Sequence, residues 1–374
     1  MVRILHIARI ASVLTDRRVT LMASDPGCSF RLVRPRCRGG PFDADRVHDR
    51  QRLEDVRLVR MWRAMDPHRG LYQTAGFGIR RTAPDLIHAE EEPDSLAALH
   101  IAAARRVLAP RARLVLFTWQ NVNRPKSPMV DWVLRRTLAA ADAVICGNLG
   151  AVALLRELGY GRPTPVIPAL ALEASIFYRR SVPRLSDRFT VGYVGRLAPE
   201  KGVDTLLRAV AQIGPPALLV AAGSGPCRSA LQEQARGLGI GDSVRLVGLL
   251  DPNGVAELLS AVDVLVVPSR STPVWQEQYG RVIVEAMGCE VPVIGSESGA
   301  IPEVVGSAGL LFPEDDVAAL TEHLRQLRAS AARRQELGRR GREWVLSAHT
   351  PALRARQTLD FYRQLVGEPV RESR

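Results

Sequence analysis

Two carboxylates, Glu277 and Glu285, stand eight positions apart, with Gly280 between them and the apolar run Val282-Ile283-Val284 leading into the second. On a single helix, about 100° per residue would set them roughly 80° apart, off a common face. Gly280 instead leaves Glu277 in a loop and puts Glu285 inside a helix that starts near Arg281. Glu285 sits among apolar residues, so it should be buried, and a buried carboxylate needs hydrogen-bond donors. A ribose diol offers two hydroxyls; the alternative is that Glu285 caps a neighbouring helix. Glu277, in the loop, is placed to accept from sugar hydroxyls.

Upstream lie two cations in a glycine frame, Gly195-Arg196 and Glu200-Lys201-Gly202. Only Lys126 and Lys201 are lysines among 51 basic residues, so a lysine kept here suggests a task that arginine does poorly. An ammonium meets a phosphate as a compact point charge, while Arg196 offers a planar, bidentate partner. The alternative is two surface cations near a helix start. Gly223-Ser224-Gly225-Pro226 precedes a helix from about Cys227; its amides suit an anion or simply an ordinary tight turn. Together these parts are what a diphosphate flanked by a ribose and a sugar requires.

The elements that position them read clearly in the second half. Strands are expected at 189–194, 217–222, 244–247, 262–267, 291–294 and 309–312. Helices are expected at 202–212, 228–238, 252–260 and 281–288, with helical, charged residues over 316–346 and a last helix over 351–366. Apolar strands alternating with helices predict a parallel sheet buried on both faces, in a doubly wound Rossmann-like layer. The motifs then fall at the carboxyl ends of the strands, where such sheets take ligands. In the first half, strands are expected at 4–7, 19–23, 57–61, 85–89, 113–117 and 143–146, with helices at 95–107, 130–140 and 150–158. Ala8 to Arg18 contains no glycine and the next strand follows at once, so the first helix is expected to be missing or shortened. Four prolines between 163 and 187 mark a linker. The domains are therefore 1–170 and 188–346, with helix 351–366 expected to pack back on the first.

Composition narrows the class. A chain of 374 residues with 46% apolar content suggests about two domains with sizeable cores. It contains no run of about 18 apolar residues, so no membrane span is expected, and the start reads as a strand rather than a signal peptide. Five scattered cysteines without a CxxC speak for a reducing cytoplasm. The net charge of +12 lies wholly in residues 1–180, which hold 29 Lys and Arg against 17 Asp and Glu. That excess fits either a solvated arginine surface or a half that faces anionic lipid, an inner membrane face, or an acidic acceptor. No basic segment is interleaved with aromatics, so nucleic acid is not expected. Asp43-Ala44-Asp45 reads as a solvated turn, and Glu90-Glu91-Glu92 as a solvated acidic loop. The seven histidines are dispersed, and no metal site is expected.

The second half resembles the donor-binding domain of the retaining glycosyltransferases of family 4, which have the GT-B fold. The resemblance rests on Gly195-Arg196-Leu197, Glu200-Lys201-Gly202, Gly223-Ser224-Gly225-Pro226, Val247-Gly248, Pro268-Ser269, the Glu277/Glu285 pair and Gly299-Ala300-Ile301-Pro302-Glu303. It implies two Rossmann-like domains facing each other across a cleft. It also implies a nucleotide-sugar donor of UDP or GDP type and a sugar or lipid-linked acceptor, with no cofactor and no metal. The implied roles are Arg196 and Lys201 on the diphosphate, Glu285 on the ribose, and Glu277 on the donor sugar. Val247 and Gly248 would meet the base, with Arg270 nearby, and Gly223, Gly225, Gly280 and Arg281 would complete the donor site. The chain departs from the pattern at Thr118-Trp119-Gln120-Asn121, where many members carry a histidine, and at Glu290, where a glycine is usual. Two rivals follow: a non-catalytic nucleotide-sugar-binding subunit that supports a partner enzyme, and a sugar-nucleotide 2-epimerase.

Overall fold

The computed structural model describes residues 1–9, 13–36, 56–64, 66, 68–74 and 76–367. The chain divides into two compact units, Met1–Ala171 with the C-terminal segment from Pro351, and Leu172–Thr350.

Unit 1 runs β1 (Val2–Ala8), α1 (Val13–Ala23), β2 (Cys28–Pro35), β3 (Val56–Val59), β4 (Met61–Trp62), β5 (Leu71–Tyr72), α2 (Ile79–Thr82), β6 (Leu86–Glu90), α3 (Leu96–Leu108), β7 (Arg113–Thr118), α4 (Pro128–Ala140), β8 (Ala143–Cys146) and α5 (Leu149–Glu157). Its main sheet is ordered β3-β2-β1-β6-β7-β8, and β4 and β5 form a separate hairpin. All pairs in the main sheet are parallel. Both faces of β1 are buried: Leu5 and Ile7 join one apolar cluster, Val2, Ile4 and Ala8 the other. That explains why its sequence reads as a nearly unbroken apolar run.

Unit 2 repeats the plan with β9 (Phe189–Val194), α6 (Val203–Ile213), β10 (Ala217–Ala222), α7 (Arg228–Gly237), β11 (Val244–Gly248), α8 (Pro252–Ala261), β12 (Val264–Val267), α9 (Arg281–Gly288), β13 (Val293–Ser296), α10 (Ile301–Val305), β14 (Leu310–Phe312), α11 (Val317–Ala329) and α12 (Ala331–Ala348). The sheet is ordered β11-β10-β9-β12-β13-β14. In each unit the strand order reverses beside the first strand, which opens a crevice at the carboxyl ends of the strands. The last helix, α13 (Pro351–Val366), belongs to unit 1. Its Ala355, Leu359 and Tyr362 fill the cluster under β1, and Arg363 pairs with Asp25 at 2.7 Å.

Two expectations fail in unit 1. Val19 to Ala23 is the end of an eleven-residue helix, not a strand, so the first helix is present. The second strand is instead Cys28–Pro35, where arginines hide the apolar pattern. Arg34 points inward and is 1% exposed, so charge there does not report exposure. The basic excess is likewise not all at the surface, because Arg9 and Arg18 are also buried. Asp43-Ala44-Asp45 lies outside the described residues. Among the described residues, no helix is long and apolar enough to cross a membrane.

Candidate active site

The glycine turns of unit 2 are sewn together through backbone at the ends of three strands. Gly195 N donates to Ala222 O at 3.0 Å, Leu197 N to Ser224 O at 2.9 Å, and Gly223 N to Gly248 O at 2.7 Å. Only glycine fits at 223: φ is +142°, and a Cβ there would lie 1.8 Å from Gly195 O. Gly225 likewise abuts Leu197 O. Arg196 leaves this platform exposed, and its guanidinium has no partner among the described residues. Its backbone carbonyl is fixed by Tyr193 Oη at 2.7 Å.

Lys201 follows in the short turn before α6, and its Nζ lies 2.6 Å from Glu277 Oε2. Seventy-six positions separate the two in sequence. The side chains are 21% and 12% exposed, so the pair is largely but not wholly desolvated. Ser269, at the end of β12, donates to the same Glu277 oxygen at 3.1 Å. Ser269 is itself held, because Ser296 Oγ donates to its carbonyl. The Glu277 carbonyl accepts from Ala300 N at 2.9 Å. The carboxylate thus arrives through a fixed loop fed by β9, β12 and β13.

Trp275, which sequence reasoning missed, lies under the ammonium, with Nζ 4.4 Å from the ring centroid. An aromatic residue within the polar loop 269–279 was the available signal. α9 begins at Arg281 behind its cap Gly280, so Glu277 precedes the helix and Glu285 lies inside it. Glu285 is buried, and its carboxylate pairs with the exposed Arg281 at 2.9 Å, one turn back. Burial raises the Glu285 carboxyl above the ordinary range against the pull of Arg281. Val247 is 46% exposed and the following Leu249 77%, an open apolar edge beside Gly248. Arg270, expected near the base, is held by acidic and hydroxyl partners. It reaches Asp204 at 2.6 Å, Asp315 at 2.9 Å and Thr205 at 3.0 Å.

The strand ends of unit 1 overturn the expected acidic loop as well. Glu90, Glu91 and Glu92 are not a solvated loop. Arg9 grips Glu91 with Nη2 at 2.7 Å and Nε at 3.2 Å, and Tyr72 Oη donates to it at 2.9 Å. Glu92 accepts from Thr118 Oγ1 at 2.6 Å and Trp119 N at 2.9 Å. Burial pushes its carboxyl up to about 7. Glu90 pairs with Arg18 and lies 3.3 Å from His6 Nε2.

His6, His88 and Glu90 form a group of potential metal ligands, with atoms within 4.8 Å of one another. Arg18 already occupies the carboxylate, and His88 Nδ1 meets Tyr362 Oη of α13. Burial holds both imidazoles below their ordinary pKa, hence neutral. A cation there would sit beside the buried Arg18 guanidinium, so the group is read as a buried Arg18–Glu90 ion pair flanked by two neutral imidazoles.

The Glycosyl transferases group 1 profile matches residues 175–344, inside unit 2. The GDP-mannose-dependent alpha-(1-6)-phosphatidylinositol monomannoside mannosyltransferase of Mycobacterium tuberculosis (strain ATCC 25618 / H37Rv) is 31% identical over 287 residues, 70% of this chain and 74% of that one. The chain belongs to the group 1 glycosyltransferases. A second relative is the 2-deoxystreptamine N-acetyl-D-glucosaminyltransferase of Streptomyces fradiae, 29% identical over 79% of this chain and 74% of its own. Sucrose-phosphate synthase from Thermosynechococcus elongatus superposes with a TM-score of 0.70 at 23% identity, over 98% of this chain and 99% of that one. Anabaena HepE, solved in complex with UDP, gives 0.73 at 18% identity, over 97% and 100%. At such identities the likeness speaks for the fold, which is GT-B.

Proposed function

We propose that this glycosyltransferase is a retaining, metal-independent enzyme of family 4. It moves a hexose from a UDP- or GDP-type nucleotide sugar to a glycoconjugate, polysaccharide or lipid-linked acceptor. The observation that carries this reading is the 2.6 Å Lys201–Glu277 pair on the loops after the unit 2 strands, where Arg196 is exposed and has no partner among the described residues. Two cations and a carboxylate on the loops that follow β9 and β12 suit a diphosphate joined to a polyhydroxylated sugar.

In the reaction, the bond from the sugar anomeric carbon to the β-phosphate oxygen breaks, and the electron pair leaves with the diphosphate. Arg196 and Lys201 neutralise the charge that develops there, the task a metal performs in other enzymes. The acceptor oxygen attacks the face from which the phosphate departs, and its proton passes to the departing phosphate, so the configuration is retained. Glu277 holds donor hydroxyls. Glu285 is the ribose partner, its remaining acceptor capacity turned to the diol. Gly223, Gly225, Gly248 and Gly280 keep the backbone close enough to meet the donor, and Val247 offers apolar surface to the base. The basic balance of residues 1–180 is the ground for a peripheral station at an anionic membrane face, which co-sedimentation with phosphatidylglycerol vesicles tests.

The decisive experiment screens UDP- and GDP-sugars by calorimetry, then follows nucleoside diphosphate release and the anomeric signal of the product by NMR. A product of inverted configuration refutes retention. Donor binding without release on any acceptor refutes transfer and favours the binding subunit.

A further inference from the structure

His68 stands at the carboxyl end of the unit 1 sheet and is 40% exposed, while Asp94 beside it is 5% exposed. The His68 Nδ1 to Asp94 Oδ1 distance is 3.1 Å. Gln120 Nε2 donates to the other Asp94 oxygen at 2.9 Å, so the carboxylate is held on both sides. The histidine backbone is clamped too. Its N donates to Asp66 Oδ1 at 3.0 Å, and its carbonyl accepts from Leu96 N at 2.9 Å. Asp66 is anchored in turn, because Arg9 Nη1 donates to its carbonyl at 2.7 Å. Three loops, after β4, β6 and β7, therefore converge to hold one imidazole.

An ionised carboxylate only accepts, so Nδ1 carries the hydrogen and Nε2 keeps its lone pair. Burial pushes Asp94 up, but the bonds from His68 and Gln120 outweigh it and hold the group below the usual carboxylate range. Asp94 thus stays ionised. In its neutral form, present above its raised pKa, the imidazole offers a fixed acceptor at the edge where parallel sheets take ligands.

We propose that the His68–Asp94 pair is an acceptor-anchoring site, in which Nε2 receives a hydrogen bond from a hydroxyl of a sugar or polyol acceptor. The proposal rests on the transferase reading above and adds what unit 1 contributes to it. The charged groups around the imidazole are Asp94, Glu92 and Asp66, with Arg69 beside it and Lys126 near Asp94. Asp94 and Asp66, joined by Glu92 once it ionises above about pH 7, disfavour an anionic group at this position and leave a neutral hydroxyl as the fitting ligand.

The Asp94 bond raises the His68 pKa, burial opposes it, and Glu92 and Asp66 add to the rise. A protonated imidazole cannot accept from a hydroxyl. Anchoring is therefore lost as pH falls through a value above the ordinary imidazole range of about 6.5.

The test uses the full chain with UDP-glucose and GDP-mannose as donors and myo-inositol and methyl α-D-mannopyranoside as acceptors. In His68→Gln and His68→Ala, the KM for the polyol should rise tenfold or more, with donor Kd within twofold of wild type. In Asp94→Asn, the acid limb of kcat/KM should move to lower pH. A polyol KM within twofold of wild type in both His68 variants overturns the proposal, as does an unmoved acid limb. If the wild type releases no nucleotide with any acceptor, the transferase reading falls and the site is judged by NMR alone. The His68 ring signal, assigned from His68→Gln, should then shift on adding either polyol and titrate lower in Asp94→Asn. A signal that ignores both polyols overturns the proposal.

Discussion

The Lys201–Glu277 pair allows a double-mutant cycle whose outcome can be worked from the geometry. At 2.6 Å and an effective dielectric of about 20, the gross attraction is about 6 kcal/mol. Desolvation opposes it, and the partial exposure of both groups screens it. Coupling energies for such partly buried pairs run to about 1–3 kcal/mol. The diphosphate adds a second claim on the same ammonium, worth about 1.5–3 kcal/mol for a charge-assisted hydrogen bond. Lys201→Ala should therefore weaken donor binding by about 10- to 150-fold. Part of that loss comes from Glu277, whose charge is then unopposed beside the phosphates. Removing that charge as well, in Lys201→Ala/Glu277→Gln, should recover some affinity relative to Lys201→Ala alone. Calorimetry on wild type, both single variants and the double variant reads this directly. Strict additivity within about 0.5 kcal/mol, or wild-type donor affinity in Lys201→Ala, would refute a shared site.

Two further outcomes follow from unit packing. The carboxyl of Glu92, with a reference value of 4.5, is raised to about 7 by burial. Its protonated form therefore supports the fold below about pH 4.5, and that support fades as pH climbs through about 7. Glu92→Gln mimics the protonated acid and should stabilise the protein by about 1–3 kcal/mol at pH 8 but little at pH 4.5; equal melting shifts at both pH values would contradict this. Gly223→Ala meets both positive φ and a carbonyl at 1.8 Å, whereas Gly159, at φ +79°, has open space around it. Thermal melts should show a loss of more than about 3 kcal/mol at 223 and about 1 kcal/mol at 159, and a reversed order would discredit the backbone contact between the glycine turns.

Much of unit 2 was legible from local pattern alone. Its strands are apolar on both faces and its turns carry glycine, so alternation and turn chemistry survive without tertiary context. The same local signals set Glu277 before α9 and Glu285 within it, and singled out Lys201 by its rarity. Glu290 shows the limit of a residue-type rule: where glycine was expected, a glutamate takes φ +59° after α9.

Where charge goes is settled by long-range packing. A polar side chain is solvated or buried according to partners that lie far away along the chain. Arg9 and Glu91 are 82 residues apart, and Lys201 and Glu277 are 76. Hydrophobic periodicity reports apolar faces only. It therefore hid β2 behind its arginines, turned a buried acidic run into an apparent loop, and gave no sign that His68 and Asp94 would meet.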